Sequence, residues 1–196
     1  MSIDRADHAR QHLERGVVLR QRLADECVTD LLAAVDLVAA AMGSGGKLMI
    51  CGNGGSAADS QHLAAEFVGQ LSKENRRRGL PALALTTDTS AITATANDFG
   101  YEQIFSRQVE ALGRPGDVLL GITTSGGSKN VMLAMRGARA QGISVIALCG
   151  QGGPIVELEL ADVAICVPST DTQLIQEAHL TLEHLLCELV EQALVS

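Results

Sequence analysis

The chain has 196 residues, a net charge of −8 and 46% apolar residues, the size and core content of one domain. Aromatics make up 2% of it, with no Trp, so the core is aliphatic and offers little for nucleic-acid bases to stack on. The acidic balance supplies no basic patch for a phosphate backbone, no run of about 18 apolar residues reaches the length of a membrane span, and Asp4, Arg5 and Arg10 stand where a signal peptide needs an apolar core. The expected setting is the cytoplasm, with neither nucleic acid nor membrane as a partner.

Residues 1–44 read as a helical arm. Leu23, Cys27, Leu31, Val35, Val38 and Met42 recur at spacings of three and four, the period of one helix face. Gly43-Ser-Gly-Gly46 ends it. Lys47–Cys51 is a short apolar strand, followed by Gly52-Asn-Gly-Gly55, a loop that permits tight turning and close backbone approach. Ser56 is expected to cap the next helix, with Asp59 completing a capping box. That helix puts His62 and Glu66 four residues apart on one face, a spacing open to metal binding, acid–base chemistry or a surface pair.

The basic run Arg76-Arg77-Arg78 reads as a solvated loop. Ala82–Thr86 is the second strand. A short helix reaches Asn97-Asp98, residues that suit either a turn or sugar hydroxyls. Glu102–Leu112 is a further helix, and Arg114-Pro-Gly-Asp117 a turn. Asp117–Ile122 is the third strand, running into Thr123-Thr124-Ser125-Gly-Gly-Ser128 ahead of a helix. Backbone N–H groups, hydroxyls and a helix N-terminus there suit a phosphate without basic side chains. Lys129 stands next to that loop, but the Walker pattern is absent. Ile143–Cys149 and Val163–Val167 are the fourth and fifth strands. The final helix runs to about Leu194 and sets Gln176, Glu177, His179, Glu183 and His184 along an apolar stripe. Gln176 and His184 lie about 12 Å apart along that helix, and with His62 and Glu66 they make a donor set that suits a zinc-like ion. The five cysteines are scattered, with no CxxC, and read as free thiols.

Apolar strands alternating with helices predict an α/β fold, a five-stranded parallel sheet covered on both faces, as a single domain over 1–196 with its helical arm. Both glycine- and hydroxyl-rich loops then fall at the carboxyl edge, where such sheets bind ligands.

Together, Cys51-Gly-Asn-Gly-Gly-Ser56, His62-xxx-Glu66, Ala96-Asn-Asp-Phe-Gly100, Phe105-Ser-Arg107, Gly116-Asp-Val-Leu-Leu-Gly121, Thr124-Ser-Gly126 and Ile175-Gln-Glu-xxx-His179-xxxx-His184 resemble the phosphoheptose isomerases, a family of sugar-isomerase (SIS) domain proteins. The resemblance spans nearly the whole chain. It implies a homotetramer and the isomerisation of D-sedoheptulose 7-phosphate to D-glycero-D-manno-heptose 7-phosphate through an enediol(ate), toward nucleotide-activated heptose for lipopolysaccharide or other surface glycans. It implies one zinc ion per subunit on His62, Glu66, Gln176 and His184, with Glu66 and His184 moving the protons. It places Asn53, Gly54, Gly55, Ser56, Asn97, Asp98, Thr123, Thr124, Ser125, Ser128, Glu66 and Gln176 against the phosphorylated seven-carbon sugar. Thr123 stands where serine is usual and keeps the hydroxyl. A coordinated carboxylate is a weaker base, so labile coordination is expected. Two other readings stay open, a non-catalytic SIS protein that binds the replication initiator and a phosphosugar sensor. The presence of both Glu66 and His184 favours the enzyme.

Overall fold

The structure, a computed structural model, describes residues 4–72 and 76–195. It opens with two helices, α1 (Arg5–Glu26) and α2 (Val28–Gly43), in place of the single predicted run. Asp4 caps α1 by accepting from the Ala6 amide at 2.9 Å. Cys27 divides the two, and its thiol donates to the Cys166 carbonyl at 3.5 Å. The apolar period predicted for the arm is the face that packs: Leu19 and Leu23 of α1 and Leu31, Ala34, Val35, Val38 and Met42 of α2 are buried. The opposite side of α1 leaves Leu13, Val17 and Val18 exposed.

Next come β1 (Leu48–Gly52), α3 (Gly55–Val68), β2 (Ala82–Ala84), α4 (Thr89–Phe99), a 3-10 turn (Tyr101–Gln103), α5 (Ser106–Leu112), β3 (Val118–Thr123), α6 (Lys129–Ala140), β4 (Ser144–Cys149), α7 (Pro154–Glu157), β5 (Val163–Cys166) and α8 (Thr172–Val195). β2 is shorter than predicted because the Thr87 hydroxyl folds back onto the Ala84 carbonyl at 3.2 Å and turns the chain. The helix predicted over Glu102–Leu112 is a 3-10 turn and a separate α5, with Ile104 and Phe105 driven into the core between them at 2% exposure each.

All five strands are parallel, in the order β2-β1-β3-β4-β5. Alternate side chains of each strand serve opposite faces. Leu48, Ile50, Val118, Leu120, Ile146 and Leu148 pack with α2, α3 and α8. Met49, Cys51, Leu119, Val145 and Ala147 pack with α5 and α6. Burial on both faces explains why these strands read as unbroken apolar runs.

The chain leaves β1 toward β2 and leaves β3 toward β4, in opposite directions. β1 and β3 are nevertheless neighbours, with Gly52 paired to Ile122. This is the switch point at which ligands enter such sheets. The loops after β1 and β3 therefore open side by side.

Candidate active site

The β1–α3 loop turns at Gly54, whose φ of 57° and ψ of −119° suit glycine alone. Gly55 begins α3 under a different constraint: a Cβ there would lie 1.7 Å from Gln176 Nε2 of α8. The N-cap of α3 is Gly54, without a side-chain cap bond. The predicted Ser56–Asp59 capping box does not form, because the glycine turn starts the helix two residues before Ser56. Ser56 is buried in the first turn instead, where its carbonyl accepts from the Ser60 hydroxyl at 2.7 Å.

Asn53 locks this loop to its neighbours. Its side-chain amide and that of Asn130 in α6 bond reciprocally, at 2.8 Å each way, and the Tyr101 hydroxyl donates to Asn53 Oδ1 at 2.9 Å. Sequence reading missed both Asn130 and Tyr101. Neither sits in a local pattern: the juxtaposition of β1 and β3 brings Asn130 to Asn53, and the packing of the 3-10 turn on α6 brings Tyr101.

After β3, Thr123 Oγ1 lies 3.0 Å from Ser128 Oγ and 3.3 Å from Ser125 Oγ, and Ser125 Oγ accepts from the Gly127 amide at 3.2 Å. Ser128 is the N-cap of α6 yet makes no side-chain cap bond. Its hydroxyl faces Thr123, which leaves the Lys129 and Asn130 amides uncapped by it and open to an anion, while the Val131 amide donates to Asn130 Oδ1 at 3.0 Å. Thr124 holds the base of this loop, its carbonyl accepting from the Gly150 amide at 3.2 Å. Lys129 points to the surface and pairs with Glu102 at 3.3 Å. Asn97 and Asp98 are exposed in the last turn of α4, where Asn97 donates to Asp98 at 2.7 Å.

The catalytic candidates meet where α3 and α8 lie together. His62 Nε2 is 2.8 Å from His184 Nε2 and 3.7 Å from Glu66 Oε1. The two imidazole rings stand edge to face, with centroids 5.1 Å apart. One ring must donate and the other accept, so the pair shares a single proton at that contact. Gln176 reaches a different part of α3: its amide donates to Asp59 Oδ2 at 3.3 Å, which answers the 12 Å separation noted above. Asp59 was legible only as a capping residue, although Asp59, His62 and Glu66 at i, i+3 and i+7 share one helix face. Burial raises the Asp59 carboxyl, while the Gln176 bond and the His62 charge oppose the shift.

Among the described residues no three of His, Cys, Asp and Glu stand as a ready-made metal site, since the two imidazoles are bonded to each other. The donor types do fit a cation: two imidazoles and a carboxylate on two facing helices are the usual composition of a zinc site with an open position.

Two more polar residues of α8 lie behind this cluster. His179 and Glu183 are 0% and 1% exposed; among the described residues their side chains meet no partner at full hydrogen-bond geometry, His179 lying only near the Cys149 backbone. Burial pushes His179 from 6.5 down to about 4, with the Cys149 backbone opposing weakly. Burial, and then the Asp59 charge, push Glu183 from 4.5 up to about 8. Both are therefore neutral at pH 7. A lowered histidine destabilises the fold as pH falls from 6.5 toward 4. A raised carboxyl does so as pH climbs from 4.5 toward 8. The two oppose each other up to pH 6.5, and above it Glu183 dominates until the lowered Cys166 thiol ionises and opposes it. The unfolding free energy is expected to fall just above pH 6.5, before Cys166 ionises, by at most about 1.4 kcal/mol per pH unit, and Glu183→Gln to flatten that limb. Urea titrations of both proteins across this range check it, and equal slopes would show that Glu183 ionises inside the fold.

The SIS domain family model matches residues 11–150. The chain is 49% identical over 183 residues to the phosphoheptose isomerase of Roseiflexus sp. (strain RS-1), covering 93% of this chain and 91% of that one. It is 54% identical over 175 residues to the phosphoheptose isomerase of Rhodospirillum rubrum, covering 89% and 91%. Among solved structures, phosphoheptose isomerase from Neisseria gonorrhoeae superimposes with a TM-score of 0.89 at 41% identity, covering 95% of this chain and 98% of that one. The enzyme from Francisella tularensis gives 0.90 at 35% identity, with the same coverage.

Proposed function

The chain belongs to the SIS-domain family and, within it, to the phosphoheptose isomerases, and on that premise we propose that it converts D-sedoheptulose 7-phosphate to D-glycero-D-manno-heptose 7-phosphate for nucleotide-heptose synthesis. That it is an isomerase of sugar phosphates follows from the family. The choice of substrate is what the resemblance implies, and the site supports it. The observation that supports it is the convergence of His62, Glu66 and His184 on α3 and α8, with the hydroxyl cluster of Thr123, Ser125 and Ser128 on the loop that Asn53 and Asn130 tie to the start of α3.

An aldose–ketose isomerase moves a proton between adjacent carbons through an enediol(ate). The uncapped first turn of α6 and the hydroxyls of the Thr123–Ser128 loop, Thr124 included, hold the phosphate. This sets the far end of the sugar toward α3 and α8. Glu66 takes the proton from C1, and His184 delivers one to C2. Asn53, Gly54, Gly55 and Ser56 line the entry from β1, and Asn97 and Asp98 take sugar hydroxyls. Gln176, held by Asp59, closes the side facing Gly55. His62, Glu66, Gln176 and His184 are the residues proposed to hold one zinc ion, which when bound supplies Lewis acidity toward the sugar oxygens. The family reading also makes the protein a cytoplasmic homotetramer, which the exposed Leu13, Val17 and Val18 of α1 support. No described helix is long and apolar enough to cross a membrane.

Incubation with sedoheptulose 7-phosphate in D₂O, with and without added zinc, tests the reading by NMR at C1 and C2. Zinc-dependent formation of the aldoheptose with deuterium incorporated is expected. A folded, metal-supplied protein that gives neither exchange nor product would leave a phosphosugar-binding scaffold in its place.

A further inference from the structure

We propose that Cys149 and Cys166 form a dithiol that a peroxide oxidises to a disulfide, a covalent-modification site on the outer pair of strands. The register of β4 and β5 pairs Cys149 directly with Cys166. Neighbouring strands lie about 4.8 Å apart, within the Cα separation that a disulfide spans. Directly paired residues project to the same face of the sheet, and the two sulfurs are 3.7 Å apart.

The two thiols differ in access. β5 is the outermost strand, and Cys166 is partly exposed on it, whereas Cys149 is fully buried. The contact between the two sulfurs holds Cys166 below the usual thiol range, against the effect of burial. The lowered thiol is the more ionised and therefore the attacking one of the pair. Cys149 moves upward, through that same contact and through burial. The other three thiols, Cys27, Cys51 and Cys187, are buried and raised to about 11, 12 and 12, and such thiols are inert. The fold therefore separates one accessible attacking sulfur from one buried resolving sulfur, side by side.

The chemistry balances with hydrogen peroxide as the oxidant. The Cys166 thiolate attacks one peroxide oxygen, the O–O bond breaks, and hydroxide leaves to become water. The resulting Cys166 sulfenic acid is attacked at sulfur by Cys149. The S–S bond forms, the S–O bond breaks, and the Cys149 proton leaves with the departing hydroxide as a second water. Two thiols lose their hydrogens and the peroxide is reduced to two waters. The bond would bridge strands at the point where the Val167 amide donates to the Cys149 carbonyl at 2.8 Å, one residue before the Gly150 amide that holds Thr124.

The test uses the native full-length protein, treated with a few equivalents of hydrogen peroxide, alkylated after denaturation and mapped without reduction. The expected result is the joint loss of two of the five thiols and a cross-linked peptide pair containing Cys149 and Cys166, lighter by two hydrogens and split by dithiothreitol. Cys149→Ser should leave Cys166 as a sulfenic acid that dimedone traps, and Cys166→Ser should leave Cys149 unoxidised. Wild-type protein in which Cys149 stays fully alkylated, whether Cys166 is over-oxidised or untouched, overturns the proposal.

Discussion

Glu66→Gln is expected to lower turnover by about 10²–10⁴-fold, the usual contribution of a positioned general base. It should leave the fold and substrate affinity near those of the wild type. The amide matches the carboxylate in shape but cannot accept the C1 proton. The loss should therefore fall on kcat, because the phosphate is held by the Thr123–Ser128 loop on a different element. The Glu66 side chain is only 21% exposed, and its carboxylate lies 3.7 Å from His62 Nε2. The backbone of this residue is anchored independently, since its carbonyl accepts from Arg77 at 2.9 Å. Steady-state kinetics beside a thermal melt decide the matter. Turnover within about tenfold of wild type would remove Glu66 from the role of base, and a collapsed melting curve would make its role structural.

Arg77→Ala is expected to be the most destabilising single surface-to-core change. The sequence reads Arg76-Arg77-Arg78 as a solvated loop, and Arg76 and Arg78 are exposed. Arg77 is not: its side chain is 8% exposed and pairs with Glu191 of α8, which is 2% exposed. Nε donates to Glu191 at 2.7 Å. The same guanidinium donates to the carbonyls of Glu66 at 2.9 Å and Phe67 at 2.8 Å, and more weakly to those of Gly69 and Arg78. One planar group thus satisfies the orphan carbonyls at the C-terminal end of α3 and ties that end to α8. These are the two helices that present His62, Glu66 and His184. Truncation would leave the buried Glu191 carboxylate without Arg77, a loss of about 3–5 kcal/mol. For a chain of this length that corresponds to a fall of roughly 10 °C in Tm. Activity should fall as well, because the end of α3 that carries Glu66 loses its anchor. Arg77→Ala combined with Glu191→Leu should recover part of the stability, since no carboxylate is then buried there without the guanidinium. A Tm within about 2 °C of wild type for the single variant would show that the ion pair adds little.

What the sequence determined is what repeats along it. The five apolar runs and the glycines between them dictate strands buried on both faces, and such strands form a parallel sheet with its loops at one edge. The i, i+4 spacing puts His62 and Glu66 on one face of α3, and the hydroxyl run after Leu120 marks the helix start that can receive a phosphate. Those features depend on neighbours within a few residues, so they can be read before folding. The tertiary structure alone decided the rest. It set His184 against His62 across 122 residues, turned Asp59 from a helix cap into the partner of Gln176, and joined Asn53 to Asn130 and Tyr101. It also buried Arg77 out of a basic run and laid Cys166 beside Cys149. Each of these is a contact between side chains on different elements. Strand order and helix crossing fix such contacts, and no local period encodes them.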